Sequence, residues 1–560
     1  MKHVIIGAVA GGATAAARIR RVDETAEILI LDKGAYMSYA NCGLPYYLGG
    51  IIQKREELFL QTPEAFHDRY NVTVRLNSEV IDILPDQKSI RIREKGKKDY
   101  LESYDNLLLS PGATPFVPPL NGINSENIFT LRNVHDTDLI KNHIANKKVK
   151  TAAIIGAGFI GIEMAENLTL TGIKISIIEM QNQVMPPLDY VMATDIHKHL
   201  CEKGVNLFLG EKVNGFKDKD GKTSVLLDSG KKVDVDMVIL SIGVRPETDL
   251  AKKAGIRIGK ARGIWVDQFL QTNIENIYAV GDAIEYPSPI SGQPYLNYLA
   301  NPANRQARIV ADNMVFGNHI TYEGSIATAI AKIFDMTAAS TGLSTARLDA
   351  AGMENTCAMI HSKSHAGYYP NAQMTSIKLT FHPRTGKLYG GQIIGFEGVD
   401  KRIDQIALCI KMGGTVFDLI KLEHAYAPPF SSAKDPVAIA GYVASNIIDG
   451  KMPRITWKEV VNKDSKEFIL LDVRDPEEIE ENGKIPSSIN IPLNTLRERL
   501  NELDKNANII TYCAIGLRGY LAMRILEGHG FKNVKNLIGG YKTYAMATAK
   551  APIGGLCSPK

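Results

Sequence analysis

The residues best suited to chemistry are two of the six cysteines. Cys42 lies in the segment Asn41-Cys42-Gly43-Leu44-Pro45, and the five residues that follow it contain no second cysteine. A solitary thiol that reduces a disulfide must pass through a mixed disulfide or a persulfide, because the substrate supplies the second sulfur. We therefore expect one half of the substrate to remain bound to Cys42.

The second reactive cysteine is Cys513, in a loop that follows a buried strand (509–512) and precedes a predicted helix (520–526). We expect this loop to direct several backbone N–H groups and the guanidinium of Arg518 toward the sulfur. Such a cradle stabilises a thiolate or a terminal persulfide anion. A phosphatase loop has a similar pattern, but it also needs a general acid, and the sequence assigns none.

A glycine fingerprint predicts a dinucleotide site in the middle of the chain. Gly156, Gly158 and Gly161 have the spacing GxGxxG between a predicted strand and a helix, where a pyrophosphate can approach the backbone. Glu179 ends the next strand and can accept hydrogen bonds from an adenosine ribose. Because a carboxylate repels a 2′-phosphate, NADH is favoured over NADPH.

A similar strand–helix–strand unit begins at residue 2, with Gly7, Gly11, Gly12 and a terminal Asp32. Val9 replaces the usual second glycine of the fingerprint, so a simple tight turn is an alternative. Since the later unit already accommodates one dinucleotide, the first indicates another, and FAD is the natural choice. Asp282, after a further strand, then holds the ribityl or pyrophosphate region of the flavin. Cys42 against the flavin ring could exchange electrons with it, and a helix starting just after Cys42 would lower the pKa of the thiol.

Bulk properties exclude several classes of protein. The chain has 560 residues, a net charge of +4, 45% hydrophobic and 22% charged residues, so neither nucleic-acid nor membrane binding is indicated. It begins directly with a strand, and its cysteines are scattered, which predicts a cytoplasmic protein without a disulfide framework.

Several other residues are weaker candidates. Arg18 and Arg21 share a helix face, as ordinary surface charge or as a site for a phosphate-rich thiol. His197, His199 and Cys201 have spacing that suggests a metal, but His199 would point away from the other two, so we expect no metal site. Cys201, Cys357 and Cys409 are expected in the core, and Cys557 is expected as an exposed thiol in the tail.

The chain resembles the coenzyme A disulfide reductases over residues 1 to about 450, and a rhodanese domain from about 455. The strings that carry this resemblance lie across both parts of the chain: Val9-Ala10-Gly11-Gly12-Ala13, Asn41-Cys42-Gly43-Leu44-Pro45, Leu109-Ser110-Pro111-Gly112-Ala113, Ile242-Gly243-Val244-Arg245-Pro246, Tyr426-Ala427-Pro428-Pro429, Leu471-Asp472-Val473-Arg474-Asp475 and Cys513–Gly519.

The resemblance implies an α/β fold with two Rossmann-like nucleotide-binding domains, an α+β dimerisation domain and a C-terminal α/β rhodanese domain. The implied boundaries are 1–115 with 245–323 for FAD, 116–244 for NAD(P), 324–446 for dimerisation, 447–455 as linker, 456–548 for rhodanese and 549–560 as tail. It also implies a homodimer, because each active site borrows two tyrosines from the partner.

The resemblance further implies roles for single residues. Cys42 is the nucleophile that forms a mixed disulfide with coenzyme A. Gly112 contacts FAD and Gly243 contacts NAD, and the borrowed tyrosines are Tyr368, with Tyr369 as an alternative, and Tyr426. The implied substrate-binding positions are Thr14, Arg18, Arg21, Ser38, Asn41, Asn304 and Lys434. Tyr70 and Asn304 stand where some relatives carry basic or imidazole contacts. Ala10 stands where related NADH peroxidases and oxidases place a histidine, which argues against those functions.

Together these features predict that NADH, with NADPH as an alternative, reduces FAD, and that the flavin reduces Cys42. Cys42 would cleave coenzyme A disulfide, coenzyme A persulfide or polysulfide, while Cys513 carries sulfane sulfur. Two alternatives remain: an NADH oxidase or peroxidase in which Cys42 cycles through a sulfenic acid, and a sulfur-relay protein led by the rhodanese domain. The sequence does not rank the three sulfur substrates. It also does not distinguish sulfur transfer between Cys513 and Cys42 of one chain from transfer across a dimer.

Overall fold

A computed structural model describes residues 1–464 and 467–549 of the chain. Residues 550–560 of the predicted tail, including Cys557, lie outside the described residues. Within the described ranges, no helix is long and apolar enough to cross a membrane. The chain divides into a first unit, Met1–Asn182 with Gly204–Ala327, and a second unit, Gln183–Lys203 with Thr328–Lys560.

The first strand–helix–strand unit and its extensions occupy the N-terminal 115 residues. Apolar runs such as Lys2–Ile6 form strands buried on both faces, as in parallel sheets covered by helices. The helices are α1 (Ala10–Val22), α2 (Leu44–Leu48) and α3 (Pro63–Tyr70), and the strands are β1 (Lys2–Ile6), β2 (Glu27–Leu31), β3 (Thr73–Arg75), β4 (Ser78–Leu84), β5 (Ser89–Glu94), β6 (Tyr100–Ser103), β7 (Asn106–Leu109) and β8 (Ala113–Pro115).

The second strand–helix–strand unit follows the same local pattern. The helices in this stretch of the chain are α4 (Val134–Lys147), α5 (Phe159–Leu170) and α6 (Tyr190–Glu202). Of these, α6 lies in the second of the two compact units. The strands are β9 (Ile128–Thr130), β10 (Thr151–Ile155), β11 (Lys174–Glu179), β12 (Asn206–Leu209), β13 (Val213–Lys219), β14 (Lys222–Leu227), β15 (Lys232–Val235) and β16 (Met237–Leu240).

The chain then returns to the N-terminal sheet through one long helix and several short elements. These are β17 (Val244–Pro246), α7 (Asp249–Lys253), β18 (Ile264–Trp265), β19 (Ile277–Ala279), β20 (Ile284–Pro287), β21 (Pro294–Tyr295) and α8 (Ala300–Phe316). The first unit thus contains two five-stranded parallel sheets, with strand orders β19-β7-β1-β2-β3 and β12-β11-β10-β16-β9. In such sheets, ligands bind at the carboxyl ends of the strands, where the strand order reverses.

The second unit contains α6 and an antiparallel sheet of order β22-β23-β26-β25-β24. Its elements are β22 (Ala329–Ile333), β23 (Met336–Gly342), α9 (Thr345–Ala350), β24 (Thr356–Lys363), β25 (Met374–Phe381), β26 (Leu388–Gly395), α10 (Val399–Lys411), α11 (Val416–Lys421) and α12 (Pro436–Ile448).

A parallel sheet of order β27-β31-β30-β28-β29 forms the C-terminal part of the second unit. Its elements are β27 (Arg454–Ile455), α13 (Trp457–Asn462), β28 (Ile469–Asp472), α14 (Pro476–Asn482), β29 (Ile489–Asn490), β30 (Asn508–Tyr512), α15 (Leu517–Gly528), β31 (Asn533–Leu537) and α16 (Gly540–Thr548).

Two local predictions differ from the structure. The predicted linker 447–455 is shorter, because α12 continues to Ile448 and residues 454–455 pair with β31 as a sheet strand. The helix expected from residue 520 begins at Leu517, where Gly516 caps it with a positive φ of 108°. The loop at Cys513 is therefore tighter than predicted, and Arg518 lies in the first helical turn.

Candidate functional site

The GxGxxG segment forms the turn between β10 and α5. A Cβ added at Gly156 would lie 2.5 Å from the carbonyl oxygen of Ser241, and one at Gly161 would lie 2.1 Å from that of Gly156. These two glycines therefore allow the strand, the turn and the helix to pack closely. Apart from each glycine's own atoms and its adjacent chain segment, no heavy atom of the described residues lies within 4 Å of a Cβ placed at Gly158 or at Gly243, so the turn borders open space. This open cradle fits the pyrophosphate of a dinucleotide.

Glu179, at the end of β11, is held by backbone N–H groups. Its Oε2 accepts from the N–H of Ala157 at 2.8 Å, and its Oε1 accepts from that of Gln181 at 2.9 Å. Because a carboxylate has about four acceptor positions, two remain for ribose hydroxyls. The residues at this turn therefore fit a nicotinamide dinucleotide.

The turn between β1 and α1 repeats this construction. Cβ atoms added at Gly7 and Gly12 would lie 2.1 Å and 1.8 Å from backbone carbonyl oxygens, and one at Gly11 would lie 2.5 Å from the Oγ of Ser110. Asp32 accepts from the N–H groups of Ala8 and Gly34, both at 2.7 Å, which fixes its carboxylate at the end of the sheet. The residues at this turn therefore fit a second nucleotide.

Asp282 lies on a short turn after β19, half-buried and ion-paired. Arg132 donates to its Oδ2 at 3.0 Å, a contact between residues 150 positions apart. Burial outweighs this partner and raises the pKa of Asp282. A Cβ at Gly112, which has a φ of +76°, would lie 3.0 Å from the same Arg132 guanidinium. Arg132 thus joins two of the residues predicted to contact FAD.

Cys42 is a free, exposed thiol on the one-turn helix Asn41–Gly43, directly before α2. Desolvation raises its pKa, the carboxylates of Glu163 and Asp282 raise it further, and Arg132 partly offsets them. The prediction of a lowered pKa is therefore wrong. A helix does begin at Leu44, but it has five residues and two carboxylates act on the sulfur.

Sequence reasoning missed Glu163, which lies on α5 within the electrostatic reach of Cys42 and Tyr46. Desolvation, together with the neighbouring Glu166, raises the pKa of Glu163 to about 7. Tyr46 shares these surroundings, and its pKa rises to about 12. The one signal for Glu163 in the sequence is its position two residues after Gly161, which places it in the first half of α5.

The substrate-binding candidates on α1 contact residues of α8. Thr14 donates to the Oδ1 of Asn304 at 2.7 Å, so these two predicted residues lie together. Arg18 forms a two-pronged ion pair with Asp312, with distances of 2.7 and 2.9 Å. The positive charge of Arg18 is thus offset by a carboxylate of the same chain, whereas a phosphate-binding arginine would be free to pair with the phosphate. Arg21, the third candidate on α1, is exposed.

The other substrate-binding candidates lie in both units. Ser38 has a positive φ of 43°, and its N–H donates to the carbonyl of Ala8 at 2.8 Å, next to the first glycine turn. Asn41 precedes Cys42 on the same one-turn helix. Lys434 is exposed in the second unit, and its carbonyl accepts from the hydroxyl of Ser432.

Tyr368 and Tyr426 meet in the second unit. Their hydroxyl oxygens are 3.0 Å apart, although the residues are 58 positions apart in sequence. Tyr368 is largely exposed and Tyr426 is about half exposed, and the hydrogen bond between their hydroxyl groups raises the pKa of Tyr426. Tyr369 instead packs against His365, with ring centroids 5.7 Å apart. Of the two candidates, Tyr368 and not Tyr369 thus contacts Tyr426.

Cys513 is buried at the carboxyl end of β30, and the N–H of Gly516 donates to its sulfur at 3.1 Å. The sulfur borders a cavity of about 370 Å³ that Arg518 and Lys542 also line. The Arg518 guanidinium donates to both carboxylate oxygens of Glu478, at 2.6 and 2.7 Å. Arg518 therefore lines the same cavity as Cys513 while it is ion-paired with an acid.

The remaining candidates have structural contacts. His197 accepts from the N–H of Val184 at 3.1 Å, and burial lowers its pKa to about 4. His199 pairs with Asp335. Cys357 and Cys409 are buried as predicted, whereas Cys201 is only half-buried.

Two nucleotide cradles on parallel sheets, with a free thiol beside one of them, define a flavin- and nicotinamide-dependent oxidoreductase. Residues 1–301 match the pyridine nucleotide-disulphide oxidoreductase family, and residues 328–437 match its dimerisation domain. The chain belongs to this family, whose members bind FAD and NAD(P)H. Residues 456–547 match the rhodanese-like domain, so the chain is an oxidoreductase of this family that carries a rhodanese domain.

Similar proteins extend over most or all of the chain. An NADH oxidase of Methanocaldococcus jannaschii is 33% identical over 80% of this chain and 100% of its own. A coenzyme A disulfide reductase of Staphylococcus haemolyticus is 34% identical with the same coverage. The structure of reduced CoADR-RHD from Bacillus anthracis is 46% identical over 98% of both chains, with a TM-score of 0.95. The NAD-dependent persulfide reductase of A. fulgidus is 36% identical over 97% of this chain and 100% of its own, with a TM-score of 0.91.

Proposed function

We propose that the chain is a reductase of coenzyme A disulfide, coenzyme A persulfide or polysulfide, with a rhodanese domain that carries sulfane sulfur. The observation that carries this proposal is the free thiol of Cys42, which lies close enough to Asp282 and Arg132 for their charges to act on it. Support comes from full-length similarity to a persulfide reductase and to a rhodanese-bearing protein.

The cofactor roles follow from the two cradles. Gly7, Gly11, Gly12, Asp32, Gly112 and Asp282 would hold FAD, and Gly156, Gly158, Gly161, Glu179 and Gly243 would hold the nicotinamide dinucleotide. When bound, FAD supplies the two electrons that NAD(P)H provides for sulfur reduction. The free acceptor positions of Glu179 favour a ribose with both hydroxyls, and its charge disfavours a 2′-phosphate, so NADH is the proposed donor.

Cys42 would open the sulfur–sulfur bond. Its thiolate attacks one sulfur of the substrate, the substrate bond breaks, and the other half leaves as a thiolate. The bound half stays as a mixed disulfide, or as a persulfide if the substrate transfers one sulfur, until two electrons restore the thiol. Thr14, Arg18, Arg21, Ser38, Asn41, Asn304 and Lys434 are the proposed substrate contacts, and Asp312 holds the guanidinium of Arg18 in place through its ion pair.

Tyr368 and Tyr426 would protonate the departing thiolate. A phenol with a raised pKa stays protonated at neutral pH and can donate a hydrogen bond or a proton. Their exposure on a domain of the dimerisation type supports a homodimer in which each pair serves the partner's Cys42.

Replacing Cys42 tests the proposal. We expect Cys42→Ser to lose NADH-dependent reduction of coenzyme A disulfide while it retains FAD, and Cys513→Ser to keep this activity as the matched control. Both can be measured by NADH absorbance and by the flavin spectrum. Turnover by the Cys42→Ser variant would rule out the scheme.

The similarity to an NADH oxidase gives the second candidate function a specific basis. In that case Cys42 would cycle through a sulfenic acid and reduce oxygen or peroxide. NADH consumption with oxygen or peroxide, compared with consumption with coenzyme A disulfide at equal concentration, separates the two. We expect the disulfide to be the faster substrate.

A further inference from the structure

Two cationic side chains line the cavity beside Cys513, and they differ in their partners. Arg518 is bonded to both carboxylate oxygens of Glu478, at 2.6 and 2.7 Å, so a neighbouring acid already offsets its charge. Lys542 lines the same cavity, and its Nζ lies 3.9 Å from the Oδ1 of Asp195, which is a much looser ion pair. Of the two cations, Lys542 is therefore the more available to an anion in the cavity.

The backbone of Lys542 is fixed to the loop that carries Cys513. At the start of α16, the N–H of Tyr541 donates to the carbonyl of Cys513 at 2.7 Å. The N–H of Lys542 itself donates to the carbonyl of Ala514 at 2.9 Å. A Cβ added at Gly540 would lie 2.4 Å from the carbonyl oxygen of Cys513, so this close approach of helix and loop requires a glycine. The side chain of Lys542 therefore begins beside the loop that holds the sulfur.

The ammonium of Lys542 contacts residues outside 456–547, the range that matches the rhodanese-like domain. Its Nζ donates to the Oγ of Ser376 on β25 at 3.5 Å, and this hydroxyl donates to Asp195 of α6 at 3.2 Å. Met374, which lines the cavity, lies two residues before Ser376 and therefore on the same face of β25. The dimerisation sheet and α6 thus contribute to the surroundings of this cavity.

The next residue of α16 is held by the same serine. The hydroxyl of Thr543 lies 2.8 Å from the Nε2 of His361, and the Nδ1 of His361 lies 2.8 Å from the Oγ of Ser376. Burial holds the pKa of His361 well below its ordinary value, so the ring is neutral, with one nitrogen donating and the other accepting. Ser376 thus connects to α16 twice, directly at Lys542 and through the imidazole at Thr543.

We propose that the Lys542 ammonium binds the anionic leaving group of the sulfur donor at Cys513. Asp195 and Ser376 are its positioning residues, because they hold the ammonium and do not themselves line the cavity. This inference rests on the proposed role of Cys513 as a sulfur carrier and names a substrate contact at that site. Residues of α6 and of the dimerisation sheet thus take part in sulfur loading by the rhodanese domain.

Loading with thiosulfate, the probe for such a donor, balances without an outside oxidant. The Cys513 thiolate attacks the outer sulfur, the sulfur–sulfur bond of thiosulfate breaks, and sulfite leaves with the bonding electron pair. A persulfide anion remains on Cys513, so one sulfur has moved and the total charge is unchanged. Because thiosulfate and sulfite are both dianions, an ammonium beside them favours binding of the donor.

The rate of sulfur loading tests the role of Lys542. Full-length protein with its FAD is mixed with thiosulfate over a range of concentrations, and sulfite release is measured. Alkylation of Cys513 by iodoacetamide is followed in parallel by peptide mass spectrometry, because this neutral reagent reports the reactivity of the thiolate alone. We expect Lys542→Met to lower the second-order rate constant of loading about tenfold and that of alkylation less than about threefold.

Two further variants serve as controls. Lys542→Arg returns the positive charge and should restore loading to within about threefold of wild type. Lys532→Met is the matched control, because Lys532 is an exposed lysine of the rhodanese part and is not among the described residues that line the cavity. Lys542→Gln is used if Lys542→Met fails to fold, as judged by NADH-dependent disulfide reduction. Unchanged loading, or equal falls in loading and alkylation, would overturn the proposal.

A double-mutant cycle tests the positioning role of Asp195. Asp195→Asn should raise the thiosulfate concentration for half-maximal loading about threefold in the wild-type background, and change it less than about 1.5-fold in the Lys542→Met background. An equal effect in both backgrounds would show that Asp195 acts on the fold and not through Lys542. Failure of Cys513 as a carrier is distinguishable, because the wild-type protein would then gain no sulfur mass after thiosulfate treatment.

Discussion

At the scale of single residues, the charge around Cys42 is negative rather than positive. Desolvation is the largest cause of the raised pKa of the thiol, Glu163 and Asp282 raise it further, and Arg132 offsets only part of these effects. Glu163 itself has a pKa of about 7, so its charge changes near neutral pH. The nucleophilicity of Cys42 is therefore coupled to the ionisation of Glu163.

Replacing Glu163 by glutamine should make Cys42 more reactive at alkaline pH. At pH 8 the wild-type carboxylate is ionised and disfavours the thiolate, so we expect alkylation of Cys42 by iodoacetamide to be about threefold faster in Glu163→Gln. Below pH 6 Glu163 is protonated and neutral, and the difference should vanish. Glu126→Gln, at an exposed surface ion pair, is the control. Equal rates at pH 8 would show that Glu163 does not act on Cys42.

At the scale of elements, one buried arginine connects the two loops that carry the tyrosine pair. Arg402 of α10 is 0% exposed, bonds Asp435 at the start of α12, and donates to the carbonyl of Ser364 at 2.7 Å. Asp435 also accepts from the hydroxyl of Ser431 at 2.7 Å. Since Ser364 precedes the Tyr368 loop and Ser431 follows Tyr426, Arg402 fixes both loops to one helix.

Arg402→Met should be strongly destabilising. It leaves Asp435 buried without its partner, and breaking a buried pair in this way costs about 3–5 kcal/mol. Urea unfolding followed by circular dichroism measures the loss. Arg384→Met is the matched control, because Arg384 pairs with Glu354 on the surface and should cost less than about 1 kcal/mol. A loss of similar size in both variants would contradict the structural role of Arg402.

At the scale of the whole molecule, the chain passes between the two units three times. The segment Gln183–Lys203 leaves the first unit between β11 and β12 and packs in the second. There Asp189 accepts from the Nζ of the buried Lys378 at 2.7 Å. Both proposed sulfur sites thus belong to one chain, Cys42 in the first unit and Cys513 in the second.

Mixing two inactive variants tests how sulfur passes between these sites. If a soluble thiol carries it, Cys42→Ser and Cys513→Ser should each fail to oxidise NADH with thiosulfate and coenzyme A. An equimolar mixture should recover activity, to about half that of wild type by site number. Omitting coenzyme A is the control. A mixture that stays inactive would show that sulfur moves directly, without a free carrier.

The sequence predicted what local spacing encodes and missed what distant residues determine. Gly156, Gly158 and Gly161 have a fixed spacing that only a strand–turn–helix unit explains, and their geometry agrees with it. By contrast, the Arg132–Asp282 and Arg18–Asp312 pairs join residues far apart in the chain, and no local pattern marks them. The pKa of Cys42 was mispredicted for this reason, because the burial that raises it most and the carboxylates that raise it further both come from other elements.

Mass spectrometry after treatment with coenzyme A disulfide tests the central claim most directly. The purified protein, without added reductant, should carry one coenzyme A half on the peptide that contains Cys42, and NADH should remove it. The Cys42→Ser variant should carry none. A disulfide between Cys42 and another cysteine of the same chain, or no adduct on Cys42, would contradict the account.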